Sequence, residues 1–360
     1  MNMHDSGFTF QNRPTILVST LNVSTKTPGT ETAMRILVSP SLNVPDFESE
    51  TRTEGLDSLK QFGDVEFYPG DLTISEADGT RGVIANSKPI HSEFYEQAKD
   101  LRIIARWGVG FENVNQPAAN KAGVLITTSP VHMSTVAEYA IAQWMAALKR
   151  TYTLNHMSHD GDFSLIRTFD AEGSTLGLYG FGRIGQQTAK RAKPLLGETG
   201  RLLVYDIRPD IKELAAEFGA EAVDDPSDLF EQSDAVSLHV AGDDTIVSYE
   251  QLERMQPHAT LINPSRGNLV NDADVNRAIR EDKLFYYIVD DPVNDSRAIH
   301  EGNPRIICTN HNGGITTASV ARLDACCVKQ VTDAIEGRQP EHILNPTVLD
   351  HPRVREFLNL

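Results

Sequence analysis

Arg266 stands just past the apolar run ATLIN and before Gly267. That places a permanent cation at a strand's carboxyl end, where parallel sheets bind ligands. Its planar guanidinium can offer two parallel N–H groups to a carboxylate. Further along, Asp295 lies in FYYIVDDPVND and its continuation, and His311 follows the run RIICTN. Reducing a 2-oxo acid needs a hydride at the carbonyl carbon, a proton at its oxygen and a fixed cation for the acid group. Arg266 suits the last need and His311 the second. A carboxylate beside an imidazole favours the protonated ring near neutral pH.

The hydride source is written in LGLYGFGRIGQQTAKRA, where Gly180, Gly182 and Gly185 follow an apolar strand and open a helix. In that context a GxGxxG triplet makes a tight turn at Gly180, a bare backbone at Gly182 for a pyrophosphate and close helix-to-strand packing at Gly185. The helix amino terminus then faces the phosphates. Asp206 ends the next strand, LLVYD, where its carboxylate can accept from the adenosine ribose hydroxyls. The same carboxylate would repel a 2′-phosphate, so NAD is expected over NADP, although Arg208 two residues on weakens that preference.

The elements that must hold these residues alternate between short apolar runs and helical periodicity, the mark of an α/β protein on parallel sheets. Met34–Ser39, Val65–Tyr68, Gly82–Ala85, Ile103–Arg106 and Val124–Thr128 read as strands of a first sheet, with a helical stretch at Gly55–Phe62. A helix over Thr135–Arg150 is apolar on more than one side, as for a helix between two domains. From Thr175 the pattern restarts with LGLYG, LLVYD, AVSLHV, ATLINP, FYYIVD and RIICTN, which predicts a second doubly wound sheet. A helix from Thr316 to about Glu336 precedes a Pro-containing tail expected to return to the first domain. The expected architecture is therefore α/β, two doubly wound parallel-sheet domains, with a Rossmann NAD-binding domain (133–319) inserted into a discontinuous flavodoxin-like substrate domain (34–132 plus 320–360). Residues 1–33 read as an N-terminal extension, with an extra edge strand at Ile16–Val23 as the alternative.

Three hundred and sixty residues suffice for two such domains. With 33 Lys and Arg against 50 Asp and Glu, the net charge of −17 would repel nucleic acid and anionic membranes, so neither is an expected partner. No apolar run near the start is long enough for a membrane span or a signal peptide. Cys308, Cys326 and Cys327 are odd in number and lack a CxxC spacing, which argues against disulfides and a zinc site and for the cytoplasm; no metal is expected.

Taken in order, the motifs resemble those of the D-2-hydroxyacid dehydrogenase family, which includes phosphoglycerate, glycerate and D-lactate dehydrogenases. The resemblance runs from Met34 to about Asn345 through RWGVGFENVN, Val136–Glu138, the glycine fingerprint, Ser237–His239, Arg266–Gly267 and His311-x-Gly-Gly-x-Thr. It implies a catalytic trio of Arg266, Asp295 and His311, with Asp295 standing where the family carries glutamate and one methylene shorter. It implies NAD contacts at Gly180, Gly182, Arg183, Ile184, Gly185, Asp206, His239, Ser265, Asp290 and Gly314. It implies substrate contacts at Ser87, Lys88, Val109 and Gly110, the last two through backbone N–H groups. Asp290 could equally be a cap, His239 a loop-shaping residue and Lys88 a solvated cation. Ala241 and Asn310 replace the family's usual prolines. Trp107 reads as a bulky wall near the substrate, and the loop His159–Phe169 as a further part of its surroundings. The implied reaction is hydride transfer between NAD(H) and a D-2-hydroxy or 2-oxo acid by a homodimer. Alternatives are an NAD-sensing, corepressor-like binding protein of the same fold and a phosphite-type dehydrogenase.

Overall fold

The computed structural model describes residues 34–39, 42, 54–68, 70–242, 244–293 and 295–360, without the side chains of Glu54, Asp295 and Ser296. The expected extension 1–33 and its alternative strand at Ile16–Val23 lie outside the described residues. Twelve strands are found among the described residues, in two sheets whose neighbouring strands all run parallel. The first sheet holds β1 (Arg35–Val38), β2 (Asp64–Phe67), β3 (Thr80–Ala85), β4 (Ile103–Arg106) and β5 (Leu125–Thr127) in the order β2-β1-β3-β4-β5. Near-continuous Ile, Leu and Val runs suit strands covered on both faces. One face packs Leu59, Leu323, Cys327 and Val331, and the other Tyr68, Phe94, Tyr95 and Leu101.

The second sheet holds β6 (Thr175–Tyr179), β7 (Arg201–Tyr205), β8 (Glu221–Ala222), β9 (Ala235–Leu238), β10 (Thr260–Asn263), β11 (Tyr286–Val289) and β12 (Ile306–Cys308). Its order, β12-β11-β10-β9-β6-β7-β8, reverses direction between β6 and β9, and the carboxyl ends at that switch frame the crevice where such sheets bind dinucleotides. The two-residue β8 is too short to show an alternating pattern, and the sequence reading missed it. The stretch Gly55–Phe62 forms a single helical turn, Glu54–Asp57, followed by a 3-10 turn, Ser58–Phe62.

Two segments join the sheets. The helix Met133–Leu148 buries Trp144 and Leu148 in the second domain's core against the helix Arg183–Leu196. The helix Thr317–Ile335 turns back and packs Val320, Leu323, Cys327 and Val331 on the first sheet. The tail follows it: Leu344 N–H donates to Ile126 O at 2.7 Å, and Val354 and Leu358 complete the first core. The first sheet's core is thus built from both ends of the described chain.

Candidate active site

The glycine turn after β6 obeys three different constraints. Gly180 has φ +94°, and a Cβ there would lie 2.7 Å from His239 O. A Cβ on Gly185 would lie 2.4 Å from Gly180 O, so these two glycines hold the turn against the helix. Gly182 is different, since nothing lies within 4 Å of its missing Cβ. It opens the helix Arg183–Leu196, and no side chain caps the first amides. A bare backbone before an uncapped, fourteen-residue helix is what a pyrophosphate requires. Asp206, at the end of β7, accepts from Phe181 N–H at 2.6 Å and from Arg208 N–H at 3.1 Å, which fixes the carboxylate beside the turn. Each oxygen keeps a lone pair for a ribose hydroxyl. The Arg208 guanidinium is engaged by Asp210, 2.6 Å from Nε to Oδ1. The residues present fit a dinucleotide without a 2′-phosphate.

Beyond β10 the turn carrying Arg266 is tied from within. Asn263 Nδ2 donates to Arg266 O at 2.7 Å, its Oδ1 accepts from Ser265 N–H at 3.1 Å, and Ser265 Oγ donates to Leu238 O at 2.8 Å. Ser265 thus braces the turn with its hydroxyl proton and keeps its lone pairs. Gly267 N–H donates to Asp291 Oδ2 at 3.2 Å, and a Cβ on Gly267 would run into the buried Arg297 guanidinium. Arg297 is anchored by Asp272 at 2.7 Å, which also meets His300 Nε2 at 2.9 Å. Arg266 itself donates to Ser265 O at 2.9 Å and points its other terminal nitrogen to the loop after β4, where Glu112 lies at 3.4 Å.

That loop is shaped by Arg106, whose Nε donates to Gly110 O at 2.8 Å and whose Nη1 donates to Ala85 O at 2.6 Å and to Asn86 O. Burial pushes this guanidinium down to about 10. One side chain therefore joins the loop bearing Val109 and Gly110 to the loop bearing Ser87 and Lys88, both at carboxyl ends of the first sheet. Ser87 and Lys88 are exposed.

His311 follows β12 and takes a left-handed backbone, φ +56°, a conformation that non-glycine residues hold only when their surroundings impose it. Asp290 imposes it. From the end of β11 its buried carboxylate accepts from Asn312 N–H at 2.8 Å, Gly313 N–H at 2.6 Å and Thr309 Oγ1 at 2.6 Å, and Tyr139 OH in turn meets Thr309 Oγ1 at 2.7 Å. Gly314 abuts His132, whose Cδ2 would lie 2.9 Å from a Cβ there. Burial, with the nearby charges of Arg322 and His311, holds the His132 imidazole below its usual range. His239 shields both ring nitrogens, without a hydrogen-bond partner among the described residues, and burial pushes it down to about 3. Its backbone carbonyl, not its ring, is what a Cβ on Gly180 would meet.

Arg266, Asp290 with Asp291, and His311 follow the carboxyl ends of the adjacent strands β10, β11 and β12. Asp295 opens the 3-10 turn Asp295–His300, and its side chain lies outside the described residues. One expectation about the surroundings is overturned, and a second is addressed only by the position of Phe169. Trp107 is buried in the first core and donates from Nε1 to Asp324 Oδ1 at 2.7 Å, since the strand-end position turns its ring toward the helix Thr317–Ile335 and away from the cleft. Phe169, ending the loop His159–Phe169, stacks on His258, which precedes β10; it therefore sits at the amino end of a strand whose carboxyl end carries Arg266.

A family model for the D-isomer specific 2-hydroxyacid dehydrogenase, NAD binding domain, matches residues 141–313. A glyoxylate reductase of Korarchaeum cryptofilum is 37% identical over 240 residues, covering 60% of this chain and 70% of that protein. The chain belongs to the D-isomer-specific 2-hydroxyacid dehydrogenase family. A D-3-phosphoglycerate dehydrogenase of Methanocaldococcus jannaschii is 28% identical over 302 residues, 80% of this chain, and this chain spans only 56% of that relative. Among solved structures, the D-lactate dehydrogenase of Escherichia coli shares the fold at a TM-score of 0.71 with 23% identity, over 86% of this chain and all of that one.

For a 2-hydroxyacid dehydrogenase of this family NAD is the cofactor, and the uncapped helix, Gly182 and Asp206 are the groups that could hold it. Sequence reasoning did not find Arg106, Glu112, His132 or Tyr139. Glu112 and Arg106 flank the Gly-Val-Gly loop, and Tyr139 follows Val136–Glu138 directly, so proximity to those motifs was the available signal.

Proposed function

We propose that this protein transfers a hydride between NAD(H) and a small D-2-hydroxy or 2-oxo acid. The observation that carries the reading is Arg266: a guanidinium at a strand's carboxyl end, its turn braced by Asn263 and Ser265, meeting the Glu112 carboxylate beside Gly110 on the loop after β4. Such a fork orients a substrate's acid group and polarises the adjacent carbonyl. Bound NADH supplies the hydride. His311, on a loop fixed by Asp290, donates the proton to the carbonyl oxygen in reduction and accepts it in oxidation. Asp295 favours the protonated imidazole, and the Val109 and Gly110 amides meet the carboxylate from the first domain's loop.

The glyoxylate reductases among the relatives support a compact 2-oxo acid as substrate. Exposed Phe163 and Leu165, next to the helix Thr151–His159, support pairing into a homodimer, which a solution mass would check. The deciding assay is a panel of glyoxylate, hydroxypyruvate, pyruvate, phenylpyruvate and 2-oxoglutarate, each with NADH and with NADPH. Turnover of one of the smaller acids with NADH, and far less with NADPH, is the expected result. Absence of turnover across the panel, with NADH bound, would refute the reading.

A further inference from the structure

Glu112 is one residue beyond the substrate loop Trp107–Phe111, and both of its carboxylate oxygens face Arg266 Nη2, at 3.4 and 3.5 Å. The pair crosses from the first domain's loop after β4 to the second domain's turn after β10. Beneath it lies Gly110: a Cβ there would fall 2.3 Å from Arg266 Nη2 and 2.9 Å from Glu112 Oε2. Glu112 therefore places its charge beside both groups that the proposed function gives to the substrate carboxylate, the Arg266 fork and the Gly110 amide. Although partial burial opposes it, its own backbone N–H and the charges of Arg266 and Arg106 hold the carboxyl below the usual range, so it is an anion at neutral pH.

We propose that Glu112 is an internal stand-in for the substrate carboxylate: it occupies Arg266 when the cleft is empty and must be displaced for a 2-oxo acid to bind. The geometry suits a competitor that yields. Its contact is long and made to a single nitrogen, and both side chains are about one-third exposed, 32% for Arg266 and 35% for Glu112. Ion pairs of that exposure are weak, whereas a substrate carboxylate can take Arg266 in a shorter two-point arrangement. Because the pair spans the cleft, it also draws the two loops together before substrate arrives. The inference rests on Arg266 being the carboxylate receptor.

The test measures binding of oxamate, an unreactive 2-oxo acid analogue, to the NADH-loaded protein. Four forms are compared: the unaltered protein, Glu112→Gln, Arg266→Gln and the double variant. Glu112→Gln removes the competing charge at nearly constant shape, and the expected Kd for oxamate falls about 2- to 5-fold, the range set by a weak exposed ion pair. The KM for the preferred 2-oxo acid should fall in step, by more than kcat changes. In the Arg266→Gln background the same substitution should give no tightening. Equal or weaker oxamate binding by Glu112→Gln overturns the proposal, as does tightening that persists without Arg266. If Arg266→Gln alone leaves oxamate affinity unaltered, it is the reading of Arg266 that fails, whatever Glu112 does. Melting temperatures of all four forms identify any loss that comes from misfolding.

Discussion

His311 is presented by its backbone, and that separates two ways of disabling it. His311→Ala deletes the proposed proton donor from an exposed position, so kcat should fall on the order of 10² to 10⁴ with little change in melting temperature. Asp290→Asn leaves the imidazole but replaces a carboxylate that accepts from two amides and a hydroxyl, so at least one buried donor loses its partner, at a cost of about 1–3 kcal/mol. Here kcat and melting temperature should fall together, and thermal melts beside steady-state kinetics check the contrast. Asp295→Asn removes the charge proposed to favour imidazolium, so the limb of the pH profile assigned to His311 should move to lower pH, and reduction should fail earlier as pH rises. An unmoved profile would put the carboxylate partner elsewhere. The places of Arg266 and His311 past strand ends were legible in the sequence because each follows a recognisable apolar run. Asp290 was open to reading as a cap, but the groups it holds were not legible, because its three partners, Thr309, Asn312 and Gly313, come from the turn after β12.

At the scale of elements, the glycine turn offers a contrast between folding and binding. A methyl on Gly185 would meet Gly180 O at 2.4 Å, so Gly185→Ala should lower stability by the 1–3 kcal/mol typical of overpacking. A methyl on Gly182 meets no protein atom within 4 Å. Gly182→Val should therefore melt close to the unaltered protein while binding NADH far more weakly, because the added bulk occupies the pyrophosphate's approach. Calorimetric titration with NADH and a thermal melt distinguish the two, and equal NADH affinity for Gly182→Val would remove Gly182 from the cofactor site. Both sheets were legible because fully covered parallel strands appear as dense apolar runs. Trp107 was misjudged for the same reason: an aromatic ring at a strand end can face cleft or core, and only the position of Asp324 on the helix Thr317–Ile335 decides between them.

Among the described residues the chain crosses between its domains twice, and the two crossings touch each other. Arg322, on the helix Thr317–Ile335, donates from Nε to Val131 O at 2.9 Å and from Nη2 to Thr135 Oγ1 at 3.2 Å, binding the return crossing to the outgoing one. Beside this joint, His132 packs on Gly314, three residues past His311. A rotation of one domain against the other would be accommodated where these crossings meet, and it would carry the His311 loop and the Arg106–Gly110 loop relative to one another. Glu112 and Arg266 form the weak link across the opening, so substrate that takes over Arg266 while contacting the Gly110 amide would replace one thin bridge with a broader one. Closure should therefore require both ligands. X-ray scattering with NADH plus oxamate is expected to give a smaller radius of gyration than with NADH alone, and Arg266→Gln should abolish that difference at oxamate concentrations that saturate the unaltered protein. Superimposable profiles for the unaltered protein with and without oxamate would show that the cleft is already set before the acid enters, with Arg322 and His132 acting as a fixed brace.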